Sequence, residues 1–196
     1  MTSEVEIAAR NLAGGPDPRR AQADRLAPGA VEAIVNASHS DPFAVLGPHQ
    51  VGPDRWEIRA MAPDAQAIDV LDWSGTHVLA AMERRHAAGF FVAGIKSAER
   101  PGYRLRVQTA HGTHIRVDPY SYGPILSNQE LGHIRDVGSD APYRVLGAHP
   151  RRVGEIEGFL FAVWAPNAQR VSVVGDFNNW DGRTHPLRLR HQIGVW

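Results

Sequence analysis

The chain repeats itself. DPFAVLGPH at 41–49 returns as APYRVLGAH at 141–149, with Pro42/Pro142, Val45/Val145, Leu46/Leu146, Gly47/Gly147 and His49/His149 each 100 positions apart. MAPDAQ at 61–66 then returns as WAPNAQ at 164–169, 103 positions on. Two blocks in the same order at nearly equal offsets mark a duplicated structural unit. The three extra residues must fall between the blocks, most simply in Arg151 to Gly158, which replaces Gly52 to Asp54. A period of roughly 100 residues is the size of one immunoglobulin-like sandwich. The chain is therefore predicted to hold two related β modules in tandem.

The hydrophobic period agrees. Trp56, Ile58 and Ala60 alternate with Glu57 and Arg59, and Tyr103, Leu105 and Val107 alternate with Arg104, Arg106 and Gln108, the signature of half-buried strands. Further strands are predicted at Ile68–Leu71, His77–Met82, Phe90–Ile95, Ile115–Val117, Phe159–Trp164 and Val171–Val174. Turn signals such as Pro63-Asp64, Ser74-Gly75, Ala88-Gly89, Pro101-Gly102 and His111-Gly112 separate them. Helix is confined to two short stretches, Ala30–Ala37 and Asn128–Ile134. The expected organisation is all-β: a disordered arm over 1–27, a first sandwich over 28–120, a polar linker over 121–140, and a second module from 141. That second module has only about 55 residues before Trp196, too few to close a sandwich. It is expected to be incomplete, and the chain to be cut from something longer.

Composition narrows the function. The 196 residues carry 21 Lys and Arg against 21 Asp and Glu, so the concentrated positive charge that binding to a phosphate backbone requires is missing, and no nucleic-acid partner is expected. No stretch approaches the roughly 18 apolar residues of a membrane span, and the start MTSEVEIAAR lacks a signal-peptide pattern. No membrane partner is expected either, and a cytoplasmic location is the default. Without cysteine there is neither a disulfide nor a thiolate metal site. A complete (β/α)8 barrel needs about 250 residues and cannot fit.

The chemistry-bearing motifs are few. Of ten histidines, His111 and His114 are the nearest pair, but an i, i+3 spacing on a strand points to opposite faces, so no metal site is expected. No glycine-rich phosphate loop, nucleophile elbow or catalytic triad is present, and no cofactor is implied. Asp176 and Asp181 are close in sequence, yet glycoside chemistry needs two carboxylates about 5 to 9 Å apart in a walled pocket. Loop acids of this kind more often cap turns, and no catalytic residue is assigned.

The segment WAPNAQRVSVVGDFNNWDGRTHPL, 164–187, is more specific. A strand runs into Gly175, after which Phe177 and Trp180 stand among Asp176, Asn178, Asn179 and Asp181. Flat rings beside amides and carboxylates suit sugars, which offer an apolar C–H face and a rim of hydroxyls. Trp180, Asn178, Asn179 and Asp181 are the candidate carbohydrate-binding residues. The alternative is that Phe177 and Trp180 plug the end of the sandwich or dock on a neighbouring domain.

With HSDPFAVLGPH, DPYSYGPIL, YRVLGAHP and GFLFAVWAPNAQRVSVVGDFNNWDGRTHPL, the sequence resembles the N-terminal region of bacterial glycogen branching enzymes over about residues 36–196. In that family an extra N-terminal β-sandwich precedes a family 48 carbohydrate-binding module and then a catalytic (β/α)8 barrel, the same order as the tandem repeat. The single-module debranching enzymes and trehalohydrolases lack the first module and fit less well. The linker ELGHIRDVGSDA is shorter than the acidic and aromatic stretch that family members usually carry there. The resemblance implies a parent enzyme that moves α-1,4-glucan segments onto a 6-hydroxyl to form α-1,6 branches in glycogen. Its nucleophilic Asp and acid/base Glu lie on the barrel, and no residue here matches them, so this chain is expected to be inactive. The implied partners are α-glucan (glycogen) and the catalytic barrel of the same parent chain. In related modules a Trp at the position of Trp180 stacks on glucose, and the second stacking Trp falls beyond Trp196. A second reading is a glucan-binding or scaffolding protein built only of such modules.

Overall fold

The structure is a computed structural model that describes residue 26 and residues 29–135, 142–190 and 193–196. The expected arm over 1–27, apart from Leu26, and the end of the expected linker at 136–140 lie outside the described residues, as does Ala141. The chain forms two compact units.

The first unit is a β-sandwich. Its strands are β1 (Gly47–Gly52), β2 (Arg55–Met61), β3 (Ala65–Asp72), β4 (Val78–Ala81), β5 (Glu83–His86), β6 (Phe90–Lys96), β7 (Tyr103–Thr109) and β8 (Gly112–Val117). They form two antiparallel sheets, in the orders β1-β2-β6-β5 and β4-β3-β7-β8. The alternation read from the sequence places Trp56, Ile58 and Ala60 of β2 with Phe91, Ala93 and Ile95 of β6 on one inner face. Ile68, Val70, Leu105 and Val107 lie on the other, and together they form the main core. Each such side chain removed from water contributes about 1.5–3 kcal/mol.

Alternation fails on the outer side of the first sheet, because a second layer covers it. Helix α1 (Ala30–Val35) brings Ala30 and Ile34 into a cluster with Val45, Leu46, Met61, Phe90 and Tyr120. Arg59, which the β2 pattern assigns to solvent, is consequently buried beneath this layer. Its guanidinium forks onto Glu57 Oε2 at 2.9 and 3.1 Å, the pairing a buried charge requires. At the far end of the sandwich, the hydroxyl of buried Tyr103 donates to Asp118. Asp118 also accepts the amide of Tyr120 at 3.0 Å and so caps the turn Pro119–Ser121.

The second unit has two paired strands, β9 (Gly147–Val153) and β10 (Ile156–Ala162), and helix α2 (Asn128–Arg135). The helix begins with a reciprocal cap: Ser127 Oγ accepts the Glu130 amide at 3.2 Å and Glu130 Oε2 accepts the Ser127 amide at 2.8 Å. Leu126, Leu131, Val145, Ala162 and Val195 form its small core. Antiparallel β structure with little helix is the class the sequence predicted, and the immunoglobulin-like sandwich is its architecture.

The repeat is visible bond by bond. Gly47 pairs with Arg59 and Gln50 with Trp56, and Gly147 pairs with Ala162 and Pro150 with Phe159. The three extra residues lengthen this hairpin and leave its register intact. His49 and His149 each donate from Nε2 to the carbonyl three residues back, Leu46 at 3.2 Å and Leu146 at 2.9 Å. The amide of Ala62 donates to Gly89 at 2.8 Å and that of Ala165 to Gly194 at 2.9 Å. Gly89 and Gly194 share a further demand: each has positive φ, 97° and 69°. A Cβ there would stand 2.6 Å from Pro63 Cα and 2.7 Å from Pro166 Cα, respectively.

Two predicted strands need correction. Phe159–Trp164 is displaced to Ile156–Ala162, and Val171–Val174 forms no strand, only an isolated bridge from Ser172 to Pro186. The reason lies in pairing. In the first unit β3 is held by β4 on one side and by β7 on the other. At Val171–Val173 the bonds that correspond to the β3–β4 pairing are the Leu187 amide to Val171 at 2.9 Å and the bridge from Ser172 to Pro186. The equivalent strands β2 and β10 also differ in burial. Phe159 is 67% and Phe161 41% exposed, whereas their counterparts Trp56 and Ile58 are 9% and 0% exposed.

Candidate functional site

The loop Val174–His185 belongs to the same compact unit as the first sandwich. Gly175 leads into a single 3-10 turn, Asp176–Asn178, and the chain then makes two left-handed steps at Asn179 (φ 51°) and Trp180 (φ 59°). Left-handed backbone is uncommon for a residue as bulky as tryptophan and persists only where the surroundings fix it. Here the Trp180 amide returns to the Gly175 carbonyl at 3.0 Å and the Asp181 amide to Asn178 at 2.9 Å.

These bonds divide the four candidates into two pairs. Trp180 and Asn179 are exposed. The indole is 67% accessible and its Nε1 donates to Asp176 Oδ1 at 3.0 Å, so the ring is both presented and held. Asn178 and Asp181 are turned to the loop itself. Asn178 is buried, its Oδ1 accepting the Gly175 amide at 2.9 Å and its Nδ2 donating to His185 Nδ1 at 3.0 Å. Asp181 forks onto Arg183 at 2.6 to 3.0 Å. It also accepts the Arg183 amide at 2.9 Å.

Beside Trp180 stands Phe177, equally exposed, its ring meeting His185 edge-on at 5.3 Å. Burial, and then the nearby Arg116 charge, lower the His185 pKa. Accepting the Asn178 amide requires the lone pair on Nδ1, which the imidazole has when its proton sits on Nε2. His185 was not a sequence candidate. Its one signal was its place at the end of a polar loop, which does not distinguish a strut from a surface residue. The loop presents two exposed rings, Phe177 and Trp180, beside the Asn179 amide and the Asp176 carboxylate.

Known proteins carry the same two modules. A family model described as the alpha-1,4-glucan branching enzyme GlgB, N-terminal domain, matches residues 27–120, and one described as carbohydrate-binding module 48 (isoamylase N-terminal domain) matches 145–196. The chain is thus similar to a GlgB N-terminal domain followed by a family 48 module. A 1,4-alpha-glucan branching enzyme GlgB of Pseudomonas fluorescens is 49% identical over 172 residues, 85% of this chain and 22% of its own length. One from Rhizobium meliloti is 42% identical over 93% of this chain and 24% of its own length. The chain therefore spans under a quarter of the length of these relatives. A pullulanase of Paenibacillus barengoltzii, solved with maltotriose, overlaps 38% of this chain and 12% of its own at 25% identity and a TM-score of 0.33. No helix among the described residues is long and apolar enough to cross a membrane.

Proposed function

We propose that this chain binds α-1,4-glucan through the Trp180 loop, as the non-catalytic N-terminal region of a 1,4-α-glucan branching enzyme acting on glycogen. The observation that carries this reading is Trp180 itself, an indole held in strained backbone with two-thirds of its surface in water. A residue that merely plugged the sandwich would be buried. Trp180 supplies the stacking face and Asn179 and Asp176 the polar rim, while Asn178, Asp181 and His185 hold the loop's shape. The partners are the glucan and a catalytic barrel in the same parent chain, in the cytoplasm. The barrel would cleave an α-1,4 linkage, hold the glycosyl group on a carboxylate and pass it to a 6-hydroxyl.

Affinity electrophoresis of the chain in glycogen gels tests the reading. Retardation that Trp180→Ala removes without lowering the melting temperature supports it. Migration unaffected by glycogen would sink it.

A further inference from the structure

The first module carries a second indole in the connection that bears Trp180 in the second module. Met82 donates its amide to Ile68 at 2.8 Å and Leu187 donates to Val171 at 2.9 Å, and Asp69 pairs with Ala81 as Ser172 pairs with Pro186. Two matched bonds fix residues 73–77 and 175–185 as the same connection in the two copies. The shorter one reads Trp73-Ser74-Gly75-Thr76-His77.

We infer that this β3–β4 loop is a separate glucan contact, with Trp73 as its stacking surface and Ser74, Thr76 and His77 as its hydroxyl-binding rim. The inference rests on the glucan-binding reading of the Trp180 loop but concerns different residues. Trp73 is half-buried, and the Arg104 guanidinium lies over its ring at 5.3 Å, an arrangement that holds an aromatic plane in place. Gly102 adjoins the indole without crowding it, since a Cβ there would stand 3.9 Å from Trp73 Cε3. Ser74, Thr76 and His77 are all exposed.

The loop is built before any ligand arrives. Asp72 accepts from His77 Nδ1 at 3.0 Å, from Ser74 Oγ at 2.8 Å and from the Thr76 amide at 3.0 Å. Those bonds, led by His77, hold the Asp72 carboxyl well below the usual carboxylate range. Exposed Ile115 lies beside Gly75 and widens the apolar floor. A ring plane with a rim of hydroxyls and an imidazole fits a sugar chain, which offers an apolar C–H face and hydroxyls that both donate and accept.

Indole N–H resonances of the full chain, assigned with Trp73→Phe and Trp180→Phe variants and titrated with maltoheptaose, test this in a folded protein. Saturable shifts of both Trp73 and Trp180 uphold both sites. A shift of Trp180 alone overturns the inference and leaves the proposed function standing. A shift of Trp73 alone upholds the inference and removes Trp180 from the proposed function. No shift at either overturns both. By calorimetry, Trp73→Ala should weaken maltoheptaose binding about fivefold to tenfold and Trp73→Phe less than about twofold. Equal affinity in wild type and both variants would overturn the inference.

Discussion

The Trp180 indole and the Asp176 carboxylate are joined by a hydrogen bond of 3.0 Å within a single tight turn. That bond uses the only polar atom of the indole and leaves both its faces unengaged by hydrogen bonding. Asp176 therefore acts as a strut for the ring. Asp176→Ala should weaken glucan binding by about 0.5–1.5 kcal/mol and barely move the melting temperature. Trp180→Ala should cost about 1–3 kcal/mol of binding. Glycogen affinity electrophoresis run beside thermal melts compares them, and a larger loss for Asp176→Ala would contradict the assigned order.

The two equivalent inner faces make a paired prediction about stability. Ile58 is wholly buried and its counterpart Phe161 is 41% exposed. Ile58→Ala should destabilise the first unit by about 2–5 kcal/mol, because it leaves a cavity. Phe161→Ala, although it removes more atoms, should cost less than about 1 kcal/mol in this chain. Urea unfolding of the two variants distinguishes them.

Gly89 should not tolerate alanine. A Cβ at a φ of 97° would press on the backbone of Ala62 and Pro63, where nothing flexible can give way. The expected loss is above about 2 kcal/mol. Gly112→Ala meets positive φ but open space and should cost only about 1 kcal/mol. Similar melting temperatures for the two variants would refute the steric account.

Asp118 sets a pH dependence whose sign is opposite to that of most carboxylates. Burial raises its pKa, against the hydrogen bonds from Tyr103 and Tyr120. The folded chain therefore binds a proton at a pH where the unfolded chain has released it. That contribution is complete below the unfolded carboxylate range and is lost as pH rises through the raised pKa. Asp118→Asn should flatten this fall, seen as a smaller loss of stability from pH 4 upward in urea titrations. An unchanged pH profile would mean that Asp118 is already ionised in the fold.

The repeat, the strand alternation and the polar Trp180 loop were legible in the sequence because each is local or self-referential. Period-two patterning reports which face of a strand is apolar, and the spaced LGPH/LGAH and APDAQ/APNAQ blocks report duplication without knowledge of any partner. What covers a face is a different matter. Arg59 reads as a solvent residue and is buried because α1, more than 20 positions earlier, lies over its side of the sheet. Val171–Val174 is as apolar as the middle of β3 but forms only the isolated bridge from Ser172 to Pro186, because ladder formation depends on the chain that lies alongside and composition does not report it. Asn178 and Asp181 look like their neighbour Asn179. Only the left-handed turn decides that they point into the loop while Asn179 and Trp180 face water. Sequence determined which residues could touch a sugar, and tertiary structure decided which were left to do so, since a backbone turn satisfies its own amides first.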